Sequence, residues 1–401
     1  MPTLVTAADI EEAADRIRGV IRPTPVDRSD NLSRLCGRGV ILKPEHLQRT
    51  GSYKIRGAYN RISRIDRGTR VVAASAGNHA QGVALAASLC GLPSLIYMPV
   101  NAPIPKVEAT RAYGAEVRIE GDTVDDCVAL AREEARSTGA VFVPPFDDPL
   151  VIAGQGTVGL EIATEVPEAA AVVVPVGGGG LIAGVATILA HLRPDVRVIG
   201  VEASGAPTMR RALDAGRPVF LESVATMADG TALRAVSDLT LAHAVAYVHD
   251  VVTVSEEEIS QALLLLLERA KWVVEPSGAL GLAALLSGRV PGEGPAVAIC
   301  TGGNVDPLLL IKLIEHGLSA AGRYLLLRIV VDDRPGGLAA LLTTVATTKA
   351  NVLEVAHHRA GVALGLDEVE VLLTLETRAT EHQREVLAAL AAAGYRAEPL
   401  G

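Results

Sequence analysis

Between about residues 70 and 310 the chain alternates short β-branched runs with alanine-rich stretches of helical spacing. Val71–Ala74, Ser94–Met98, Glu116–Ile119 and the runs 172–176, 196–201 and 296–300 are largely apolar and of strand length. Helical patterns follow most of them, as at 79–90, Val124–Thr138 and 181–191. Parallel strands need helical crossovers, so this alternation predicts α/β layers around mostly parallel sheets. Two more helices, 256–271 and 278–286, flank a turn at Glu275-Pro276.

The pattern changes after a break near 317–322. Strand 324–331, helix 337–349, strands 352–358 and 368–374, helix 381–393 and a short strand Arg396–Pro399 follow in order. A βαββαβ order over roughly 80 residues predicts a compact ferredoxin-like unit.

Composition narrows the function classes. Apolar residues at 49% and charged residues at 21% of 401 describe a folded chain, and aromatics at 3% mean that Ala, Val, Leu and Ile must fill its cores. A formal charge of −9 is the wrong sign for a nucleic-acid surface. Cys36, Cys90, Cys127 and Cys300 are far apart and form no CxxC pair, so reduced thiols in a cytoplasmic protein are expected. The acidic, amphipathic start of the chain reads as a helix capped by Thr6, not as a signal peptide. The uncharged stretch 169–190 is cut by Pro175 and four consecutive glycines into strand, loop and helix, so no membrane span is expected.

Four segments carry candidate chemistry. In Ser52-Tyr53-Lys54-Ile55-Arg56-Gly57, Lys54 stands between apolar neighbours, where partial burial would favour the neutral amine that condenses with an aldehyde. Gly177-Gly178-Gly179-Gly180 joins a strand to the helix from Leu181, a backbone able to wrap a phosphate at a helix N-terminus, or else to make a tight turn. No GK[ST] follows, so it is not a nucleotide P-loop. Ser75-Ala76-Gly77-Asn78-His79 opens a helix at a strand's C-terminal end, suited to a carboxylate or simply to capping. Thr301-Gly302-Gly303-Asn304 follows another strand, where a hydroxyl could meet a ring nitrogen or serve an ordinary turn. A fifth segment, Gly154-Gln155-Gly156-Thr157-Val158-Gly159, fits the dinucleotide fingerprint but lacks a leading strand and the later acidic residue, so nicotinamide binding is not expected.

Taken together, SYKIRGAYN, SAGNHAQG, FDDP, IAGQGT, VPVGGGGLIAG, ADG and TGGNVDP stand in an order and spacing that resembles the fold-type II pyridoxal-phosphate enzymes. The likeness is greatest to the threonine dehydratases (threonine ammonia-lyases) and covers about residues 5–315. It implies pyridoxal 5'-phosphate on Lys54, its phosphate held by Gly177, Gly178, Gly179, Gly180 and Leu181, its ring hydroxyl at Asn78 and its pyridine nitrogen at Thr301. Tyr53, usually Phe in the family, would pack beside the cofactor, and Ser75, Ala76, Gly77, Asn78 and His79 would clamp the substrate carboxylate. The implied reaction takes L-threonine to 2-oxobutanoate and ammonia and L-serine to pyruvate, with freed Lys54 as the base and the cofactor as electron sink. Alternatives within the family are a racemase and a hydroxyaspartate or phenylserine dehydratase; outside catalysis, the alternative is an amino-acid sensor.

Two departures bear on these. Related serine racemases carry Ser where this chain has Ala76, which cannot shuttle a proton. Their cation site is matched by Glu202 and Ala206, but Thr208 stands where a carboxylate would be. By the same likeness, 1–54 with 148–320 would form a large cofactor-binding domain and 55–147 a small substrate-side domain, while 323–401 resembles a regulatory ACT domain. Its turn at Arg334, Pro335, Gly336, Gly337 and Leu338 would receive an amino-acid effector such as isoleucine, in a homodimer or homotetramer.

Overall fold

A computed structural model describes residues 2–359 and 367–400. In chain order the strands are β1 (Asp27–Arg28), β2 (Val40–Lys43), β3 (Val71–Ala74), β4 (Ser94–Met98), β5 (Glu116–Ile119), β6 (Val141–Phe142) and β7 (Ala171–Pro175). They continue with β8 (Arg197–Ala203), β9 (Asp250–Val254), β10 (Ala296–Ile299), β11 (Tyr324–Asp332), β12 (Asn351–His358), β13 (Glu368–Glu376) and β14 (Arg396–Pro399). The chain divides into two compact units, Met1–Pro307 and Leu308–Gly401.

The first unit contains two sheets. One runs β1-β2-β10-β7-β8-β9, parallel except for the β1–β2 pair; the other, β5-β4-β3-β6, is parallel throughout. This is the α/β architecture that the alternation predicts. Val, Ala, Ile and Leu dominate the cores, as the shortage of aromatic residues requires. The capping box of Thr6 and Asp9 opens the helix Ala7–Ile17, as read from the sequence.

The decoy glycines lie inside the helix Pro149–Glu165 and do not form a loop. A Cβ at Gly154 would fall 2.6 Å from Gly57 Cα, one at Gly156 2.7 Å from Ile10, and one at Gly159 3.1 Å from Val185 Cα. Their missing side chains allow three other helices to approach closely, so here the fingerprint spacing is a packing signature.

Strands β1, β2, β6 and β9 escaped the sequence reading. All four residues of β2 are buried, Lys43 included, and a lysine in so short a run looks solvent-facing. Its ammonium is neutralised by Glu161 at 2.7 Å and Glu165 at 3.0 Å, far along the chain. Glu161 also pairs with Arg56, whose guanidinium is fully buried and held on both oxygens of Glu45. This network ties the helix headed by Lys54 to β2 and the helix Pro149–Glu165.

The second unit begins within the helix Pro307–Ala320, earlier than the change of pattern at 317–322. Its antiparallel sheet runs β12-β13-β11-β14, with helices Gly337–Thr347 and Thr380–Ala392, the expected ferredoxin-like order. Among the described residues no helix is long and apolar enough to cross a membrane.

Candidate active site

The predicted segments converge, although they lie up to 250 residues apart in sequence. Lys54 is the first residue of the helix Lys54–Ile62. Its Nζ donates to the Pro145 carbonyl at 3.1 Å and lies 5.2 Å from the centre of the Tyr53 ring. Among the described residues no carboxylate stands within ion-pair distance of it, so the amine is not committed as a counter-ion. The helix Asn78–Leu89 packs on it through Gly82, where a Cβ would fall 3.2 Å from the Lys54 carbonyl carbon.

The residue after Pro145 connects this lysine to the glycine loop. Phe146 fills the space that a Gly178 side chain would need, its ring 2.2 Å from such a Cβ. Gly179, at φ +88, is the backbone cap of the helix Gly180–Leu192 and has no side-chain cap. Thr231, just after the Asp229-Gly230 turn, closes on Gly177. The first N–H groups of that helix have no intrahelical acceptor. They form, with the glycines, a concave run of donors suited to a phosphate. The Leu181 side chain is buried in the core, so only its backbone faces this role.

The third and fourth segments meet directly. Asn304 Nδ2 donates to Asn78 Oδ1 at 2.7 Å and to the Thr50 carbonyl at 2.7 Å. Tyr53 N donates to the Thr301 carbonyl at 3.2 Å, and Ser52 bridges Gly302. Thr301 is buried beside them. At the other loop Ser75 Oγ accepts from Gly77 N at 3.1 Å and shapes the turn into the helix. His79 is placed differently from its neighbours: its ring is buried and donates to the Val143 carbonyl at 2.9 Å. Burial, with Lys54 nearby, pulls its pKa down to about 3, so the ring is neutral and spent; only its backbone N–H remains for a carboxylate.

Sequence reasoning met Phe146 in FDDP and Glu275 in its turn with Pro276 but gave neither a role in the site. Asn78 Nδ2 donates to Glu275 Oε1 at 2.7 Å. Glu275 is 4% exposed, and burial first, then Asp229, raises its pKa to about 7. The available signal was a single carboxylate inside the apolar run 273–286.

Pyridoxal phosphate fits these residues. Beyond the lysine and the glycine cradle, Ser52 Oγ and Ser277 Oγ are buried without partners, an arrangement costly unless a polar group meets them. A cation does not fit at Glu202. Its oxygens are spent on Thr208 Oγ1 at 3.0 Å and on the N–H groups of Met209 and Arg210 at 2.7 and 3.0 Å. The Ala206 carbonyl accepts from Thr208 N. Both candidates serve the start of the helix Thr208–Ala215, and no cluster of three His, Cys, Asp or Glu residues occurs among the described residues. In the second unit, Arg334 is exposed and pairs with Asp332, while Gly336, at φ +90, caps the helix Gly337–Thr347. Pro335 and Leu338 flank that cap.

Comparisons with known proteins bear on these observations. Residues 17–302 match the family described as pyridoxal-phosphate dependent enzyme. The chain is 46% identical over 395 residues to an L-threonine ammonia-lyase of Geobacter sulfurreducens, covering 98% of each protein. Its structure is similar to a T.th. threonine deaminase, with a TM-score of 0.72 and 42% identity over 75% of this chain and 99% of that one. A maize serine racemase is similar with a TM-score of 0.74 and 36% identity over 79% of this chain and 99% of that one.

Proposed function

The chain belongs to the pyridoxal-phosphate dependent enzyme family, and from that premise we propose that it is a threonine ammonia-lyase, taking L-threonine to 2-oxobutanoate and ammonia. One observation carries this reading: contacts through Pro145 and Phe146, and through Thr301 and Asn304, bring Lys54, the glycine loop and Asn78 together. The near full-length identity to an L-threonine ammonia-lyase supports it.

When bound at Lys54, pyridoxal phosphate supplies the electron sink that acidifies the substrate Cα. The protein's own residues do the rest. Gly177 to Gly180 and the N–H of Leu181 would receive the phosphate, Thr301 would meet the pyridine nitrogen and Asn78 the ring oxygen. Tyr53 packs beneath Nζ. Ser75, Gly77 and Asn78, with the N–H groups of Ala76 and His79, orient the substrate carboxylate. Lys54 Nζ takes the Cα proton and, as the ammonium so formed, can return one to the β-hydroxyl, which departs as water; a second water then hydrolyses the imine form of the released enamine to 2-oxobutanoate and ammonia. Ala76 has no proton to return to the opposite face of Cα, which disfavours racemisation. Phe146 shields the loop from solvent.

L-serine is the second substrate in this proposal, yielding pyruvate, because one methyl group in a pocket discriminates by only about 1–3 kcal/mol. A cytoplasmic setting is supported by four cysteines that are all free. For the second unit, the ferredoxin-like order and the Gly336 cap support an ACT-like regulatory role. An amino-acid effector such as isoleucine would dock at Arg334, Pro335, Gly336, Gly337 and Leu338, and copies of the chain would pair as a dimer or tetramer. Sedimentation with and without isoleucine tests that part.

The deciding experiment is 2-oxo acid release from L-threonine and L-serine by the cofactor-loaded protein, with Lys54→Ala as control. Steady 2-oxobutanoate formation that disappears in the control supports the reading. No oxo acid despite bound cofactor overturns it.

A further inference from the structure

We propose that Glu275 is a positioning residue for the cofactor: with Asn304 it locks the Asn78 side-chain amide in one orientation, leaving one Asn78 N–H for the cofactor's ring oxygen. The inference rests on the pyridoxal-phosphate reading above.

An asparagine amide can flip, exchanging a carbonyl oxygen for an NH2 group at nearly the same position. A ring oxygen that accepts a hydrogen bond needs the NH2. Here the orientation is set at one end by the Thr50 carbonyl, which can only accept, and matched at the other by an acceptor oxygen of Glu275. The Thr50 carbonyl takes one hydrogen of Asn304 Nδ2, and the other goes to Asn78 Oδ1, both at 2.7 Å. Asn78 Nδ2 then donates to Glu275 Oε1 at 2.7 Å. Flipping Asn78 would set its NH2 against that of Asn304 and its oxygen against the carboxyl of Glu275. The Asn304 bond would be lost and two NH2 groups would face each other, and the Glu275 contact could be kept only by a protonated carboxyl that turns to donate. With these bonds in place, one Asn78 N–H has no protein partner among the described residues.

Among the described residues the Asn78 amide is the one hydrogen-bond partner of the Glu275 carboxyl. Glu275 precedes the helix Pro276–Leu286, but its side chain makes no capping bond. Among the described residues no cation pairs with it. Asp229, Lys106 and Lys54 are the charged groups that act on it, and burial, followed by Asp229, raises its pKa to about 7. An isolated buried carboxyl costs stability, and such groups concentrate where function requires them. Gly302 is part of the same device, since a Cβ there would lie 2.3 Å from Glu275 Oε1 and 2.8 Å from Asn78 Nδ2.

The test is the dissociation constant of pyridoxal phosphate for the apo-protein, read by its visible absorption and by quenching of Trp272, the single tryptophan. Trp272, three residues before Glu275, packs against His46 with ring centres 4.9 Å apart and planes tilted by 52°. Variants E275L, E275A, E275Q, N78A and N78A/E275L are compared, each checked by urea melting, with E275A standing in if E275L does not fold. Loss of one hydrogen bond predicts about ten-fold weaker binding for E275L and for N78A. The double variant should be no weaker than either single one, and E275Q, which keeps the acceptor, should bind like the parent. Binding unchanged in E275L, full additivity in the double variant, or E275Q as weak as E275L would each overturn the proposal. If the parent protein neither binds the cofactor nor changes Trp272 emission, it is the cofactor reading that fails.

Discussion

Replacing Arg56 with methionine tests whether buried charge pairing holds the Lys54 helix in place. Arg56 is completely buried and donates to both oxygens of Glu45 at 2.8 Å, to both of Glu161 at 2.6 and 3.0 Å, and to Thr157 at 3.0 Å. Glu161 would keep Lys43 as a partner at 2.7 Å. Glu45, also fully buried, would keep only the Thr24 hydroxyl at 2.7 Å. The loss is therefore that of leaving one buried carboxylate without a counter-charge, about 3–5 kcal/mol. Removing the stranded charge as well should return most of it, so Arg56→Met with Glu45→Met should come within about 1 kcal/mol of the parent. Urea melting followed by Trp272 reports on the first unit alone, which avoids mixing two transitions. A single variant that loses less than about 1 kcal/mol, or a double variant worse than the single, would refute the reasoning.

Three further outcomes follow from the site. Gly178→Ala puts a Cβ 2.2 Å from the Phe146 ring; the displaced ring should weaken cofactor binding at least about ten-fold while costing about 1–3 kcal/mol in stability, measured by cofactor titration and urea melting. Lys106, on the helix Ile104–Ala112, pairs with Asp229 at 2.7 Å beside the turn that closes on Gly177. Lys106→Ala should raise the KM for threonine about two- to five-fold, the scale of a partly exposed ion pair, and high salt should narrow that gap. Glu275 also sets a pH dependence: its folded pKa of about 7 lies above the ordinary 4.5, so its contribution is complete below about 4.5 and fades as pH rises through 7. At about 1.4 kcal/mol per unit, Glu275→Gln apo-protein should gain roughly 3 kcal/mol relative to the parent across that window; parallel stability–pH curves would contradict this.

The motifs legible in the sequence were those whose chemistry is local. A tetraglycine between strand and helix constrains its own backbone, so the tight turn into the helix Gly180–Leu192 could be read without knowing its neighbours. The βαββαβ order of the second unit was legible for the same reason, because each element follows from its own periodicity. Glu275 was not, since its meaning depends on Asn78, 197 residues away. Lys43 in β2 was hidden likewise, its counter-charges lying more than 100 residues later. The ring of His79 also went elsewhere than its motif implied, because the acceptor that claims it, the Val143 carbonyl, belongs to another loop. Where a residue's role is set by long-range electrostatics, periodicity and spacing have no access to it.

The pairing of β2 with β10 also constrains the order of events during synthesis. Val40 lies opposite Ala296, with the whole β3–β6 sheet intervening in the chain. A ribosome adding about 5–20 residues per second needs roughly 13–50 s to make the intervening stretch. Throughout that interval β2 has one vacant edge, Tyr53 lacks Thr301 and Asn78 lacks Asn304, while β3 to β6, neighbours in sequence, can already assemble. The nascent chain therefore cannot complete its cofactor site until the last strand of the first unit has emerged, and β2 is the segment a chaperone would have most reason to cover.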